Sequence, residues 1–280
     1  MRLIKPSYEI WQQPSGLEGI YKQVEHVGRV CYKSEDKITE DSAKPFVDRM
    51  IKSGHGAMLE HGTVYLAIPF EYIDMSEKLD IPIVSDVVEK YKGNPYTKWH
   101  LRDDGFSQLA FITTNFRVLV ENDWLDDLQY ICEPTEYHER RVTAYFIADA
   151  GVMREFFRHR VFSMAQESTR YCNYLRDKFG NSITVIYPCW LKEEEELEFE
   201  EDMRVMEELY FKWLKKGWTA QQARVFLPLG VKAEAVMTGF VSDWKHFFDL
   251  RAMGTTGQPH PQAKELALPL LNEFVTNKYF

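Results

Sequence analysis

The residues best suited to chemistry lie in one segment near the middle of the chain, where cationic and hydroxyl side chains recur. Arg158-His159-Arg160 comes first, and Ser168 and Arg170 follow within a dozen residues. Guanidinium groups, a hydroxyl and exposed backbone amides are together the donors that a phosphate group needs. The three cations could instead do no more than complement the C-terminus of a helix. That alternative does not account for the return of Ser and Arg so soon afterwards, and the segment therefore predicts an anion-binding site.

Two further arginines lie on predicted apolar helix faces. Arg251 lies on the same predicted helix face as Trp244, Phe247 and Phe248. Arg224 lies on the same predicted face as Ala220, Ala223 and Leu227. An unpaired charge is costly to bury, so each guanidinium predicts a carboxylate partner or a bound anion. The alternatives without a functional role are an ordinary salt bridge, or an aliphatic stem that packs inside while the charged head reaches water.

Several helices and strands must position these side chains. Apolar spacing predicts helices over 18–31, 41–53 and 193–216, and further helices that begin at the caps Asp149, Thr219 and Ser242. Gly54 is placed to end the second helix, because glycine adopts the left-handed cap conformation cheaply. β-Branched and aromatic residues predict strands at 63–70, 108–120, 141–148 and 236–241. The mixed order predicts the α+β class.

Composition excludes several classes of protein. The chain has 280 residues, and 34 Lys and Arg against 43 Asp and Glu give a net charge of −9, which makes it a poor non-specific nucleic-acid binder. No apolar run approaches the roughly 20 residues of a membrane span, and the N-terminus lacks the apolar core of a signal peptide. The cysteines never form a C-x-x-C pair, which favours reduced thiols and a cytoplasmic protein over a disulfide framework or a metal site. They are Cys31, Cys132, Cys172 and Cys189.

The segment RHRVFSMAQES resembles the RHR-x7-S signature of flavin-dependent thymidylate synthases, through Arg158-His159-Arg160 and Ser168. Three more segments resemble the same family, in the family's order. They are SGHGAMLEH at 53–61, QARVFLP at 222–228 and TGFVSDWKHFFDLRA at 238–252. Because the four segments match in order along the chain, the sequence is identified as a member of that family.

The resemblance implies a fold, a cofactor and a reaction. Members of the family have an α+β fold with a central, mostly antiparallel sheet and flanking helices. They are flavoprotein methyltransferases of nucleotide biosynthesis, which bind FAD and convert dUMP to dTMP with methylenetetrahydrofolate and NADPH as co-substrates. Their active sites form between the subunits of a homotetramer. They use no cysteine nucleophile, which agrees with the absence from this sequence of a motif that sets a cysteine beside a histidine.

The resemblance also carries roles to individual residues. Those implied in dUMP binding are Glu155, Arg158, Gln166, Glu167, Ser168, Thr169, Arg170, Arg224 and Arg251. Those implied in FAD binding are His55, Ala57, Arg158, His159, Arg160, Gln166, Ser242 and His246. Arg251 is the implied catalytic residue, because a fixed cation against the uracil would favour ionisation at N3.

The chain departs from the family pattern near the implied ligands. Phe240 and Ser242 stand where the family has Asn and Arg, which removes two polar flavin contacts, and Ala57 stands where a hydroxyl is frequent. Glu155 replaces a Gln and brings a negative charge close to an anionic ligand.

The spacing between two of the segments is also unusual. His61 and Arg158 are separated by 96 residues, several times the usual family gap. The sequence therefore predicts a single catalytic domain over 1–280 with a family-atypical insertion at about 71–140.

Two other functions stay open at this point. Glu155 motivates a relative that modifies another pyrimidine nucleotide such as dCMP, since a carboxylate can accept a hydrogen bond from an exocyclic amine, which uracil lacks. The lost flavin contacts motivate a non-catalytic nucleotide-binding or interaction module, in which the insertion forms the functional surface.

Overall fold

The computed structural model describes residues 1–70, 86–103 and 108–280, the side chains of residues 86 and 87 apart. The chain divides into two compact units. The first unit comprises Met1–Trp11, Gly28–Asp36 and Thr143–Phe280, and the second comprises Gln12–Val27 and Lys37–Val142. Parts of the predicted insertion, 71–85 and 104–107, lie outside the described residues, and the single-domain organisation with an insertion stays a prediction.

Helices and strands are mixed along both units. The strands are β1 (Arg2–Ile4), β2 (Ser7–Trp11), β3 (Thr63–Pro69), β4 (Lys98–Asp103), β5 (Gln108–Asn115), β6 (Arg141–Asp149), β7 (Ser163–Gln166), β8 (Thr184–Ile186) and β9 (Lys232–Phe240). The helices are α1 (Gly16–Tyr32), α2 (Ala43–Lys52), α3 (Gly56–Leu59), α4 (Asp86–Lys92), α5 (Phe116–Glu121), α6 (Ala150–Phe156), α7 (Glu196–Lys215), α8 (Ala220–Ala223), α9 (Val241–Phe248) and α10 (Pro261–Thr276). No helix in the described ranges is long and apolar enough to cross a membrane.

The first unit is built on a four-stranded sheet in the order β2-β6-β9-β7. β2 pairs antiparallel with β6, and β7 pairs antiparallel with β9, while β1 and β8 form a separate parallel pair. Helices α6, α9 and α10 pack around a core of large aromatic side chains that are at most 2% exposed: Phe146, Phe156, Trp244, Phe247, Phe248 and Phe274. The predicted α+β class with mostly antiparallel sheets is confirmed.

The second unit contains an antiparallel sheet in the order β3-β5-β4. Alternate residues of β3 point into its core, so Val64, Leu66 and Ile68 are at most 1% exposed. The apolar side chains of α1 and α2, among them Ile20 and Val47, pack against them.

Three predicted helix boundaries are confirmed by their caps. Asp149 Oδ1 accepts a hydrogen bond from Val152 N at 2.8 Å and starts α6. Thr219 and Gln222 form the reciprocal capping box that starts α8. Gly54 has a φ of +70° just beyond α2, the conformation that ends many helices.

Other predicted boundaries are wrong. The strand predicted over 236–241 begins earlier, at Lys232, and ends at Phe240. The strand predicted over 108–120 ends at Asn115, whose side chain accepts from Val118 N at 3.1 Å and caps α5. The error arose because a short apolar run suits a strand or a buried helix equally well. Ser242 is not a helix cap: α9 begins directly after Phe240, which is extended (φ −65°, ψ 152°), and Ser242 lies exposed within the first turn.

Candidate functional site

Arg251 makes three hydrogen bonds to residues at the C-terminal end of α6. It lies on a π-helical turn, Asp249–Met253, that continues from α9. Its Nη1 donates to Glu155 Oε2 and its Nη2 to the Glu155 carbonyl, each at 2.8 Å, and its Nε donates to His159 Nε2 at 3.1 Å. The Arg251 side chain is 14% exposed. The prediction of an inward-facing guanidinium with a carboxylate partner is therefore confirmed.

The contact with Arg251 selects one tautomer of His159. Because Arg251 Nε donates to Nε2, that nitrogen carries no proton, and the neutral ring carries its proton on Nδ1. Burial, the Arg251 charge and neighbouring His246 lower the pKa of His159 to about 4. His159 is therefore uncharged at neutral pH, and the positive charge here belongs to Arg251.

Rings and a second arginine surround His159. The Phe247 ring centroid lies 5.1 Å from that of His159, and the exposed His246 ring lies 5.9 Å away on another side. The Arg158 side chain is 76% exposed, and its Nη1 is 3.9 Å from Glu155 Oε1, a contact that water screens strongly. We define the arginine–histidine cluster as Glu155, His159, His246 and Arg251.

The residues after β7 form a turn, which we define as the serine loop, residues 167–172. Glu167 N donates to the Glu234 carbonyl at 2.8 Å, and Ser168 N donates to the Cys31 carbonyl at 3.3 Å. The Ser168 carbonyl accepts at 3.0 Å from two further amides, those of Tyr171 and Cys172. Within the described part of the chain, the Ser168 hydroxyl makes no hydrogen bond. Backbone hydrogen bonds thus help to hold the loop and do not engage the Ser168 hydroxyl.

Arg170 is the exposed cation of the serine loop. Its Nε donates to Gln221 Oε1 at 2.9 Å, and its guanidinium lies 5.4 Å from the centre of the Tyr171 ring. Gln221 belongs to α8, so this bond joins the loop to the element that also leads into Arg224.

The predicted inward orientation of Arg224 is wrong. Arg224 is exposed, whereas Ala220 and Ala223 on the predicted common face are buried. The reason is that α8 ends at Ala223 and a 3₁₀ turn follows, so the 3.6-residue spacing no longer applies to Arg224.

The remaining predicted site residues of the first unit lie at its surface or along its sheet. Arg160 is exposed just after His159, and Thr169 is half-buried within the serine loop. Gln166 ends β7 opposite Ala235 and is half-buried.

The two predicted flavin residues near the start of the chain lie in the second unit. His55 precedes α3 as its N-cap residue, Ala57 lies within that helix, and both are exposed. In the same segment, Glu60 pairs with Arg117 at 2.5 Å, and His61 is fully buried.

One cysteine does lie beside a histidine, although no sequence motif pairs them. Cys132 Sγ is 3.9 Å from His138 Nε2. Thr135 N donates to His138 Nδ1 at 3.0 Å, so Nε2 carries the proton and donates to the Leu66 carbonyl at 3.1 Å. Burial raises the pKa of the Cys132 thiol and lowers the pKa of His138. The histidine therefore does not act as a base toward this thiol.

Sequence reasoning missed the residues that hold two of the predicted nucleotide-binding residues, Arg170 and Glu167, in place. Gln221 receives the Arg170 hydrogen bond, and its one sequence signal is its position inside a capping box. Lys232 pairs with Glu167 at 2.9 Å, and no local pattern connects the two. Among the described residues, no group of three or more His, Cys, Asp or Glu could hold a metal ion.

Comparison with known proteins places these elements in a family. Residues 139–276, about half of the chain, match the family model described as thymidylate synthase complementing protein. A probable flavin-dependent thymidylate synthase of Paramecium bursaria Chlorella virus 1 is 29% identical over 126 residues, which are 39% of this chain and 56% of that protein. The flavin-dependent thymidylate synthase of Pyrococcus furiosus is 34% identical over 100 residues, 35% of this chain and 40% of that protein.

A further relative and a solved structure also show similarity to this chain. The flavin-dependent thymidylate synthase of Thermococcus kodakarensis is 32% identical over 125 residues, 44% of this chain and 49% of that protein. The chain thus spans about half the length of the curated relatives it matches. The UMP/dUMP methylase PolB from Streptomyces cacaoi, solved with 5-Br dUMP bound, has 15% identity and a TM-score of 0.46 over 99% of this chain and 93% of its own.

The matched residues include β6, α6, β7, β9 and α9, and with them all four residues of the arginine–histidine cluster and the whole serine loop. The RHR-x7-S segment and the two family-like segments after it, 222–228 and 238–252, fall in the same range. Through residues 139–276, the chain belongs to the family of flavin-dependent thymidylate synthases.

Proposed function

We propose that the protein is a flavin-dependent thymidylate synthase, a methyltransferase that converts dUMP to dTMP with FAD, methylenetetrahydrofolate and NADPH. The observation that carries the proposal is the arrangement of Arg251. A guanidinium has five N–H donors, and Arg251 uses three of them on Glu155 and His159. With respect to residues 1–70, 86–103 and 108–280, one N–H on each terminal nitrogen stays available, on a cation whose orientation is already set.

Arg251 is the proposed catalytic residue. A preorganised cation in a largely dry setting stabilises negative charge that develops during reaction far better than it would in water. Against a pyrimidine carbonyl, its two remaining N–H groups would stabilise the charge that forms on the uracil ring. Neutral His159 and the Glu155 carboxylate together keep the guanidinium plane in one orientation.

The serine loop is the proposed site of the nucleotide phosphate. Its hydroxyl is unused, and exposed guanidinium groups lie on the loop and on the turn after α8. Glu167, whose side chain is 1% exposed and pairs with Lys232, would act by anchoring the loop and not by touching the nucleotide. The proposed dUMP ligands are Glu155, Arg158, Gln166, Ser168, Thr169, Arg170, Arg224 and Arg251. Charge-assisted hydrogen bonds of this kind are the usual means of holding a phosphate.

The exposed donors around the RHR segment fit the diphosphate of FAD. Arg158 and Arg160 present exposed guanidinium groups, and the Ser242 hydroxyl and the His246 ring lie exposed on α9. Bound flavin supplies the hydride chemistry. The proposed flavin ligands are His55, Ala57, Arg158, His159, Arg160, Gln166, Ser242 and His246. We propose in addition that the active form is a homotetramer with sites between subunits, as the family resemblance implies.

Visible absorption spectroscopy tests this proposal. The purified protein, supplied with FAD and passed over gel filtration, should keep a flavin band, and NADPH should bleach that band under anaerobic conditions. Addition of dUMP with methylenetetrahydrofolate should then yield dTMP. If saturating FAD leaves no bound flavin, the non-catalytic nucleotide-binding module becomes the better account and the enzyme proposal fails.

The ion pair between Glu155 and Arg251 favours a second candidate, the modification of another pyrimidine nucleotide such as dCMP. Glu155 Oε2 offsets the charge that would stabilise an ionised uracil. Among the described residues, the contact of its Oε1 is with exposed Arg158 at 3.9 Å, so this oxygen can accept from the exocyclic amine of cytosine. Nucleotide-dependent reoxidation of the reduced flavin, compared between dUMP and dCMP, separates the two candidates.

A further inference from the structure

A group of buried charges lies in the first unit outside the arginine–histidine cluster. Lys33 Nζ lies 2.8 Å from one oxygen of Glu234, and Lys232 Nζ pairs with the other. Lys232 Nζ also lies 2.9 Å from Glu167 Oε2, and the Tyr145 hydroxyl donates to Glu234 at 2.5 Å. We define the lysine–glutamate network as these five residues, Lys33, Tyr145, Glu167, Lys232 and Glu234.

The charges of the network are removed from water. The side chains of Lys33, Lys232, Glu234 and Glu167 are 19%, 14%, 9% and 1% exposed. Burial alone would raise the pKa of Glu234, but Lys232, Lys33 and Tyr145 outweigh it and hold this pKa at about 2. Burial likewise works against the charged form of Lys232, and Glu167 and Glu234 outweigh it and raise its pKa. Glu234 and Lys232 therefore both carry their charges at neutral pH.

Such a network costs desolvation energy, and apolar side chains of similar volume are often at least as stable. Stability alone is therefore a weak reason for its presence. Its position supplies a stronger reason, because Glu167 is the first residue of the serine loop and directly precedes Ser168.

Glu167 is held from several directions. Its backbone N–H donates to the Glu234 carbonyl at 2.8 Å, and its carboxylate receives Lys232 and, at 3.3 Å, the Tyr174 hydroxyl. Ser168 N is bound in turn to the Cys31 carbonyl, two residues before Lys33. The network and the loop backbone thus fix the same short stretch of chain, while the Ser168 hydroxyl stays unused.

We propose that Lys232 is a positioning residue for nucleotide binding: its ion pair with Glu167 sets the serine loop so that the Ser168 hydroxyl meets the phosphate of a pyrimidine nucleotide. This inference rests on the function proposed above. Lys232 acts through Glu167 and does not touch the ligand. Its contribution should therefore depend on the phosphate and on Ser168, which a general loss of stability would not produce.

Lys33→Met is the matched control for Lys232→Met. Both substitutions remove a buried ammonium from Glu234, but only Lys232 pairs with Glu167. Calorimetric titration of the FAD-loaded protein with dUMP and with deoxyuridine gives the affinities with and without the phosphate. Lys232→Met should weaken dUMP binding about 10- to 100-fold, as for one lost hydrogen bond to a charged group, and leave deoxyuridine binding unchanged. Lys33→Met should leave both affinities unchanged, and Lys232→Arg should restore dUMP binding.

A double-mutant cycle gives a second readout. In a Ser168→Ala background, Lys232→Met should have no further effect on dUMP affinity. Where Lys232→Met does not fold, Glu167→Gln replaces it, because this isosteric change removes the ion pair on the loop side alone. Wild-type affinity in Glu167→Gln or Lys232→Met, or equal losses in the Lys33 and Lys232 variants, would overturn the inference while the proposed function stands. A wild-type protein that binds no dUMP would overturn both.

Discussion

The arginine–histidine cluster and the lysine–glutamate network both bury charge in the first unit, but they differ in how completely the charge is paired. In the network, Glu234 receives two ammonium groups and a hydroxyl, and Lys33 and Lys232 each reach two carboxylates. In the cluster, Arg251 has one carboxylate, one carbonyl and one neutral imidazole as partners, and two of its N–H donors make no hydrogen bond to any residue that the structure describes.

The difference separates two uses of a buried charge. A charge whose partners are all internal can only hold the chain in place, since a ligand would have to displace an ion pair to reach it. A cation with fixed orientation and spare donors can act on a ligand without reorganisation. The network is thus suited to positioning, and the cluster is suited to chemistry.

The largest expected effect on stability comes from the network. Glu234→Gln leaves two buried ammonium groups without their shared carboxylate and should lower the free energy of unfolding by about 3–5 kcal/mol, measured by urea denaturation. Glu200→Gln is the control, because Glu200 pairs with Arg204 at 2.9 Å on the exposed face of α7. Its effect should stay within about 1 kcal/mol. Equal losses of unfolding free energy in the two variants would show that the buried network stabilises the fold no more than an exposed ion pair does.

The largest expected effect on activity comes from the cluster. Arg251→Ala should lower kcat by about a hundred- to a thousandfold, the usual result of removing a transition-state donor. Arg170→Ala should instead mainly weaken nucleotide binding, because a phosphate is charged already in the ground state. Steady-state kinetics and flavin-perturbation titrations with dUMP distinguish the two. An Arg251→Ala enzyme that binds dUMP poorly but turns over normally at saturation would reduce Arg251 to a binding residue.

Acid should weaken the cluster before it weakens the network. The pKa of His159 is about 4 in the folded protein, against about 6.5 in an unfolded chain. The unfolded chain therefore binds more protons, and this stabilisation is full above pH 6.5 and is lost as pH falls toward 4. The loss should amount to about 3 kcal/mol, seen by chemical denaturation at a series of pH values. The charge of Glu234, with a pKa of about 2, is unaffected in that window.

A substitution at His159 checks the origin of that pH dependence. His159→Gln keeps a side chain able to accept from Arg251 and removes the titrating group. The variant should therefore lose markedly less stability than the wild type between pH 6.5 and 4. An unchanged pH profile would assign the effect to another group.

The smallest expected effect concerns the hydroxyl that the network positions. Ser168→Ala should weaken dUMP binding by about 1.5–3 kcal/mol, as for one hydrogen bond to a charged group, and leave residual turnover. Mass spectrometry of the protein during turnover supplies the complementary check. A covalent nucleotide adduct on Ser168 would contradict its assignment to phosphate binding.

Local signals in the sequence predicted the starts and ends of several helices correctly. Asp149, Thr219 and Gly54 act on groups within a few residues of themselves, so their effect does not depend on the rest of the fold. The prediction failed at Asn115 and Arg224. At Asn115, the apolar run fitted both the period of a strand and that of a helix. At Arg224, the helix ended after four residues, so the predicted apolar face did not extend to Arg224.

The sequence by itself determined the α+β class, the position of the RHR-x7-S segment and the inward face that carries Arg251. Only the tertiary structure decided which carboxylate balances Arg251, which tautomer His159 adopts, and that Lys232 pairs with Glu167. The physical reason is the range of the interactions. Caps and helix faces depend on neighbours three or four residues away, whereas these ion pairs exist because the pairing of β7 with β9 and the packing of α6 against the end of α9 join distant parts of the chain.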